Sequence, residues 1–285
     1  MTELTGWLIY REDDLHRNTR FIELLQTAAK QRGIHLIVRA YENIDMNLQT
    51  IEQPFVTEPG ESSPSFIINR AVAPWLNEVS ELAGIRCFNR AHISRIANDK
   101  RLAHAHLSKL GIPMLPTRAR NRRQVLRERG AEPIIAKDPV GRGGTGVKLV
   151  SLSDSIASIQ AALPEHVVEQ PVGGIEGKDL RVYIVGGEMI AAVLRHSQTD
   201  FRANISQGGT STLVTLTKPE RAVVNQITAS FELDFVGLDF LIGTDGKLLF
   251  NEMEDAVGCR GLYIASEINI ADHVMAHIAT ECRKP

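Results

Sequence analysis

Apolar positions along the first third of the chain follow two alternating periods. The run Gly6 to Tyr10 (GWLIY) is apolar with no polar break and predicts a buried strand. Phe21, Leu24, Leu25 and Ala28 then recur on one helix face, with Asn18 placed to cap that helix and Gly33 to end it. Ile34 to Val38 and Phe66 to Ile68 predict further strands. Trp75, Leu76, Val79, Leu82 and Ala83 keep helical spacing behind Pro74, which a first helical turn tolerates, until Gly84. Ile85 to Phe88 is the next strand. Strand–helix–strand alternation predicts a parallel sheet covered by helices. The polar stretch from Glu52 to Ser65 predicts a surface loop or linker.

The pattern changes further on. A second unit, from about Asn98 to about Val172, opens with a helix through Leu107 and Leu110 that Gly111 stops. A strand from Ile134 to Lys137 meets a glycine-rich loop, and a helix and a strand from His166 to Glu169 follow. A third unit, from about Gly173 onward, is rich in strands and closes with a helix from Ala271.

Composition narrows the class. Of 285 residues, 43% are hydrophobic and 23% charged, which excludes a disordered or collagen-like chain. Lys and Arg total 32 against 34 Asp and Glu, a formal net charge of -2, so no overall field collects nucleic acid or anionic membrane. The Arg-rich stretch TRARNRRQVLRERG has no aromatic residue to stack bases and is read as a solvated helix face beginning at Asn121. Cys87, Cys259 and Cys282 lie far apart and read as free thiols of a reducing compartment. With no basic segment before the first apolar run, and no apolar stretch near the roughly 18 residues of a membrane span, a cytoplasmic protein without membrane partners is expected. His104 and His106 fall on different helix faces, make a poor metal pair, and are read as surface residues.

Two stretches carry chemistry. In Lys137-Asp138-Pro139-Val140-Gly141-Arg142-Gly143-Gly144-Thr145-Gly146-Val147, four glycines in six positions let backbone N–H groups converge on an anion. Lys137 ends the preceding strand, where it can reach a phosphate. No Gly-Lys-Ser/Thr follows, and a strand rather than a helix comes next, so neither a Walker loop nor a dinucleotide fingerprint fits. A hairpin flap over phosphates and an ordinary glycine-rich turn both remain open.

The second stretch is GLDFLIGTDGKLLFNEME, from Gly237 to Glu254, in which two apolar runs flank the favoured turn pair Asp245-Gly246. If those are the turn residues, Asp239 faces Glu252 and Glu254 faces Gly237, all on one side of the ladder, with Leu241 and Phe250 beside them. Like charges directly opposite are destabilising, so three carboxylates on one face call for a cation, and hard divalent ions prefer such oxygens. The other reading is a solvated face.

Together these stretches resemble the ATP-grasp superfamily, and within it the RimK-type, ribosomal-protein-S6-glutamate-ligase-like carboxylate–amine ligases. The resemblance is clear from about Ser94 onward. Ser94 to Lys100 (SRIANDK) is similar to the entry into the family's nucleotide half, with Lys100 near phosphates. Lys137 matches its strand-end lysine, and Gly141 to Val147 its flap. Val168-Glu169-Gln170-Pro171-Val172 occupies the hinge that contacts adenine, and Lys178-Asp179-Leu180-Arg181 resembles its D-x-R element. Asp200-Phe201-Arg202-Ala203-Asn204 with Gly208-Gly209 is similar to its D-F-R-x-N…G-G signature. Asp239, Glu252 and Glu254 fall on its metal ligands. Three departures stand out. Glu254 replaces the usual asparagine, Asp255 to Gly261 replaces a small-residue turn, and the hinge carries Gln170-Pro171 where an acidic–aromatic pair is common.

What the resemblance implies is an α/β fold, α+β in its C-terminal part: a parallel α/β domain (1–93), a small subdomain with the flap (94–172) and a C-terminal subdomain with the magnesium site (173–285), with nucleotide between the last two. It implies ATP, with magnesium or manganese, and an amide bond formed through an acyl phosphate. The carboxylate and amine substrates would be small molecules or peptides, one of them an amino acid. Lys100, Lys137, Gly143, Gly144, Thr145, Gly146, Glu169, Gln170, Val172 and Asp179 would bind nucleotide. Asp239, Glu252 and Glu254 would bind metal, while Arg181, Arg202 and Asn204 would handle the reacting groups. Paired subunits are common in the family, so a homo-oligomer is among the expectations. Other ATP-grasp chemistry (dipeptide or glutathione-type ligation, or phosphoryl transfer) and a silent nucleotide-binding regulator are the alternatives.

Overall fold

The computed structural model describes residues 4–57, 63–143, 146–197 and 209–284. Three sheets organise them. The first is parallel, in the order β2-β1-β3-β4, from β1 (Leu4–Tyr10), β2 (Ile34–Ala40), β3 (Phe66–Asn69) and β4 (Arg86–Phe88). Helices α1 (Glu12–Lys30) and α2 (Pro74–Leu82) cross over between its strands, as the alternating pattern predicted. Pro74 does open α2. Helix α1, however, starts six residues before Asn18, whose side chain instead donates to the Asp14 carbonyl from within the helix. The acidic first turn, Glu12-Asp13-Asp14, complements the positive end of the helix dipole there and makes an earlier start favourable.

Two short helices, α3 (Ala91–Ala97) and α4 (Lys100–Lys109), lead to the second sheet. It is antiparallel, β5-β8-β6-β7, from β5 (Arg118–Asn121), β6 (Ile134–Lys137), β7 (Val147–Val150) and β8 (His166–Pro171), with α5 (Arg122–Arg127) and α6 (Ile156–Ala162) packed on it. Asn121 caps α5 as expected, in a reciprocal capping box with Gln124. The basic stretch is mostly tied into the fold. Arg122 donates to the Gln160 and Leu163 carbonyls near the end of α6, and Arg129 to the Asp154 carbonyl.

The third sheet is antiparallel, β11-β10-β9-β12-β13, from β9 (Lys178–Val185), β10 (Glu188–His196), β11 (Thr210–Val214), β12 (Phe235–Ile242) and β13 (Leu248–Glu254). Helix α7 (Lys218–Thr228) follows β11, and α8 (Arg260–Ala265) and α9 (Ile270–Glu281) close the chain. Leu180, Val182, Leu238 and Phe240 bury one face of this sheet against Ala103 and Leu107 of α4 and Val224 and Ile227 of α7. On the other face, Tyr183, Val185, Val193 and Phe235 share a core with α1, the first sheet and α9. The three cysteines are free. No helix among the described residues is long and apolar enough to cross a membrane.

Candidate active site

The carboxylates come together through the β12–β13 hairpin. Asp239 stands opposite Glu252 and Glu254 opposite Gly237, as the sequence predicts. The route to that register differs. Gly243 N–H donates to the Lys247 carbonyl, so the loop has three residues and closes on Gly246 at φ +79°. A bulge next to Asp239 then restores the register, so Phe240 rather than Leu241 pairs with Phe250. Phe250 therefore lies in the buried core and not beside the carboxylates. The space opposite Glu254 is filled too, since a Cβ on Gly237 would meet Val257 Cγ2 at 2.4 Å.

Oxygens of Asp239, Glu252 and Glu254 lie within 4.8 Å of one another. The charge that holds them apart from mutual repulsion comes from the protein itself. Arg181 is paired with Asp239 across β9 and β12, and its Nε and Nη2 donate to the two Asp239 oxygens at 2.7 Å each. The same Nη2 lies 2.9 Å from Glu254. Arg195 on β10 donates to both oxygens of Asp179, at 2.5 and 2.7 Å, and to Asp239 Oδ2 at 2.8 Å. Burial alone would raise the pKa of Asp239, but these two guanidinia outweigh it and hold the carboxyl below the usual range. Arg195 is a residue that sequence reasoning missed. Its signal was there, since the β9–β10 ladder sets it directly opposite Asp179.

Two lysines approach from the second unit. Lys100 Nζ, at the start of α4, lies 2.8 Å from Glu252 and also donates to the Gly141 carbonyl of the glycine loop. Lys137 Nζ donates to Asn251 Oδ1, at the bulge, at 2.6 Å. Burial pushes Lys137 down to about 8, while Glu252 pulls the other way. Four cations, Lys100, Lys137, Arg181 and Arg195, thus stand against four carboxylates, Asp179, Asp239, Glu252 and Glu254. The glycine loop joins β6 to β7 as a hairpin, with Lys137 paired with Val147. Gly143 and Gly146 take positive φ there, and Gly144 and Thr145 lie outside the described residues, as do Arg202 and Asn204.

Hinge residues Val168 to Pro171 sit on β8, next to the strand that carries Lys137, and Val172 follows it. Glu169 accepts from Arg120 Nη1 at 2.9 and 3.2 Å, Arg120 in turn pairs with Glu128, and Val172 is exposed. Gln170 is buried, and its amide donates to Thr117 Oγ1 at 2.9 Å and to His104 Nε2 at 3.1 Å. This overturns the reading of His104 as a surface residue. It is 4% exposed, because helix α4 turns this face, with Ala103 and Leu107, toward the third sheet. Its Nδ1 meets the Lys100 carbonyl at 2.7 Å and must donate there, so Nε2 is the acceptor and the ring is neutral. Burial pushes its pKa down to about 4, with Lys137 and Lys100 adding to the effect. The depressed value means that the unfolded chain binds the extra proton between about pH 6.5 and 4, so stability falls as the pH drops through that window. We expect wild type to lose about 2 kcal/mol more than His104→Gln between pH 7 and 5. Urea titrations at the two pH values measure this, and equal losses would remove His104 as the cause.

Comparison with known proteins decides what this arrangement belongs to. Residues 97–278 match the model of the RimK-like ATP-grasp domain. The chain belongs to the RimK-like ATP-grasp family. It is similar to a protein named "Probable alpha-L-glutamate ligase" from Maridesulfovibrio salexigens, 25% identical over 288 residues, which cover 95% of this chain and 94% of that one. Its fold is that of D-cycloserine synthetase DcsG, with a TM-score of 0.71 at 17% identity over 98% of this chain and 100% of that chain. It also matches the ATP-grasp ligase PsnB complexed with minimal precursor, Mg and ADP, with a TM-score of 0.68 at 16% identity over 98% of each chain. The RimK-like ATP-grasp resemblance read from the motifs therefore holds, and the chain is an ATP-grasp ligase.

Proposed function

We propose that this ATP-grasp ligase joins a carboxylate to an amine through an acyl phosphate, with ATP bound between the β5–β8 sheet and the five-stranded sheet. The observation that carries this reading is that Lys100 meets Glu252 and Lys137 meets the adjacent Asn251, beside the grouped Asp239, Glu252 and Glu254 oxygens. In the first step a substrate carboxylate oxygen bonds to the γ-phosphorus and ADP leaves. In the second, the amine nitrogen bonds to the acyl carbon, inorganic phosphate leaves, and the nitrogen gives up a proton. Lys100 and Lys137 hold phosphate oxygens in line. Arg181 and Arg195 fix Asp239 and Glu254 rather than facing substrate, and Asp179 serves to orient Arg195. Arg202 and Asn204 remain assigned to the reacting carboxyl and phosphoryl groups. The decisive assay is ADP release, which should require a carboxylate and an amine together. Repeated turnover to ADP with no amine present, beyond the single equivalent that acyl phosphate formation gives, would favour phosphoryl transfer instead.

The residues present suit a divalent cation. Asp239 Oδ1 keeps room for a further contact, since it accepts one N–H donor while Oδ2 accepts two, and Glu252 and Glu254 are half-buried and reachable. Magnesium bound there would neutralise phosphate charge. The balanced charges carry a consequence. A divalent ion alone would leave the cluster with excess positive charge, whereas an ion arriving with a triphosphate would not. We therefore expect magnesium to bind the free enzyme only at millimolar concentrations and at least tenfold more tightly with a non-hydrolysable ATP analogue present. Calorimetric titration checks this, and equal affinities would contradict the charge count.

A further inference from the structure

The glycine loop carries a cation to which neither the metal site nor the two lysines assign a role. Lys100 Nζ, 2.8 Å from Glu252, also donates to the Gly141 carbonyl, and the Lys100 N–H donates to the Pro139 carbonyl at 2.9 Å. These bonds fix the start of the loop beside the carboxylate cluster. The next residue, Arg142, therefore enters the site from the loop side. Burial lowers its pKa from the ordinary value, while the carboxylates of Asp255, Glu254 and Glu252 oppose this in that order. The side chain keeps 41% exposure, so a ligand can reach the guanidinium.

A seat for this guanidinium is built from two distant segments. Asp255, the residue after Glu254, is 5% exposed, and its Oδ2 accepts from Ser94 Oγ at 2.7 Å and from Asn98 Nδ2 at 2.9 Å. Asn98 Nδ2 also donates to the Ser94 carbonyl at 2.8 Å. Both bonds belong to the amide nitrogen, so the orientation of the amide is fixed and its Oδ1 accepts from Arg142 Nη2. Asp255 Oδ1 is buried and accepts no hydrogen bond among the described residues. Arg142 Nη2 stands 3.8 Å from it, close enough for attraction but too far for a hydrogen bond. A carboxylate buried here carries a desolvation cost that a nearby cation offsets. Asp255 also opens the segment that replaces the family's small-residue turn, so the seat lies where this chain departs from the pattern.

We propose that Arg142 is a further catalytic residue, that its guanidinium meets oxygens of the transferred γ-phosphoryl, and that Asp255 and Asn98 position it there. The proposal rests on the reading above for ATP and the phosphoryl step. In that step the bond from the γ-phosphorus to the ADP oxygen breaks as the bond to the carboxylate oxygen forms, and Arg142 transfers no proton. Charge spreads over the equatorial oxygens, to which a forked guanidinium can donate twice. The seat permits this contact at little loss. Asp255 keeps its bonds from Ser94 and Asn98 when Arg142 turns to phosphate, so no buried acid is stranded.

Nucleotide binding tests this, because it needs neither the carboxylate nor the amine and so fails separately from the ligase reading. ADP and β,γ-imido-ATP, each with magnesium, are titrated calorimetrically into the full chain. Arg142→Gln should weaken the imido analogue roughly tenfold or more and ADP less than about twofold, since the missing contact is to the γ group. Arg142→Lys keeps the charge without the fork and should recover part of that loss. Asp255→Asn and the half-buried Asn98→Ser should each weaken the analogue severalfold with ADP unchanged. Neither should add to Arg142→Gln in a double variant, because both act through the arginine. Equal losses for the two nucleotides in Arg142→Gln, or no loss for the analogue, would overturn the γ-phosphoryl contact. Losses that add in the double variants would overturn the positioning role of Asp255 and Asn98.

Discussion

Asp239→Ala should lower the unfolding free energy by about 3–5 kcal/mol, a larger loss than most single substitutions give. The side chain is 3% exposed and accepts three N–H bonds from two buried arginines. Among the described residues, removing it leaves Arg195 with Asp179 and Arg181 with Glu254 and the Gly258 carbonyl. Breaking one partner of a buried ion network is expensive because the other charges stay behind without full compensation. Asp239→Asn keeps the shape and one accepting oxygen, with its amide N–H facing the arginine donors, so it should fall between wild type and alanine. Urea unfolding curves measure the series. A loss under about 1 kcal/mol in the alanine variant would show that the arginines find other partners easily.

Lys137→Met should reduce ATP affinity at least tenfold and leave stability within about 1 kcal/mol of wild type. The methionine fills the same buried space, and it removes a charge that burial already disfavours. Asn251 loses only one neutral acceptor contact. Because Lys137 titrates at about 8, the wild-type enzyme should also bind ATP more weakly as the pH rises through that value, while the methionine variant should show no such step. Nucleotide titrations between pH 6.5 and 9 test both statements. An unchanged affinity in the variant would take Lys137 out of the site.

Much of this was readable from residue order, for identifiable reasons. Parallel strands with crossover helices show in the alternating periods, because a buried strand and an amphipathic helix cannot share one pattern. The carboxylate pairing came out right although the turn was misjudged. Loop length and bulge each shift the ladder, in opposite senses, and neither shows in hydrophobic periodicity. What stayed hidden depends on contacts between distant segments. The burial of His104 needs the third sheet packed on α4, and the partner of Glu169 is Arg120, which sequence reading left on a solvated face. The arginine ladder from Asp239 to Asp179 needs three strands placed side by side, whereas local spacing shows only one strand at a time.

The bulge beside Asp239 also bears on how densely one strand can present functional groups. A regular strand turns every second residue toward the core, so four consecutive positions yield two side chains on a given face. From Asn251 to Glu254 this strand directs only Met253 into the core, while Asn251 meets Lys137 and Glu252 meets Lys100. Glu254 reaches Arg181. One extra residue therefore adds a third polar contact without turning Phe250 or Met253 away from the core. Deleting Asn251 would leave both carboxylates on their face and remove one anchor, which makes the strand a place where contacts to the lysines can vary in number while the carboxylates stay fixed.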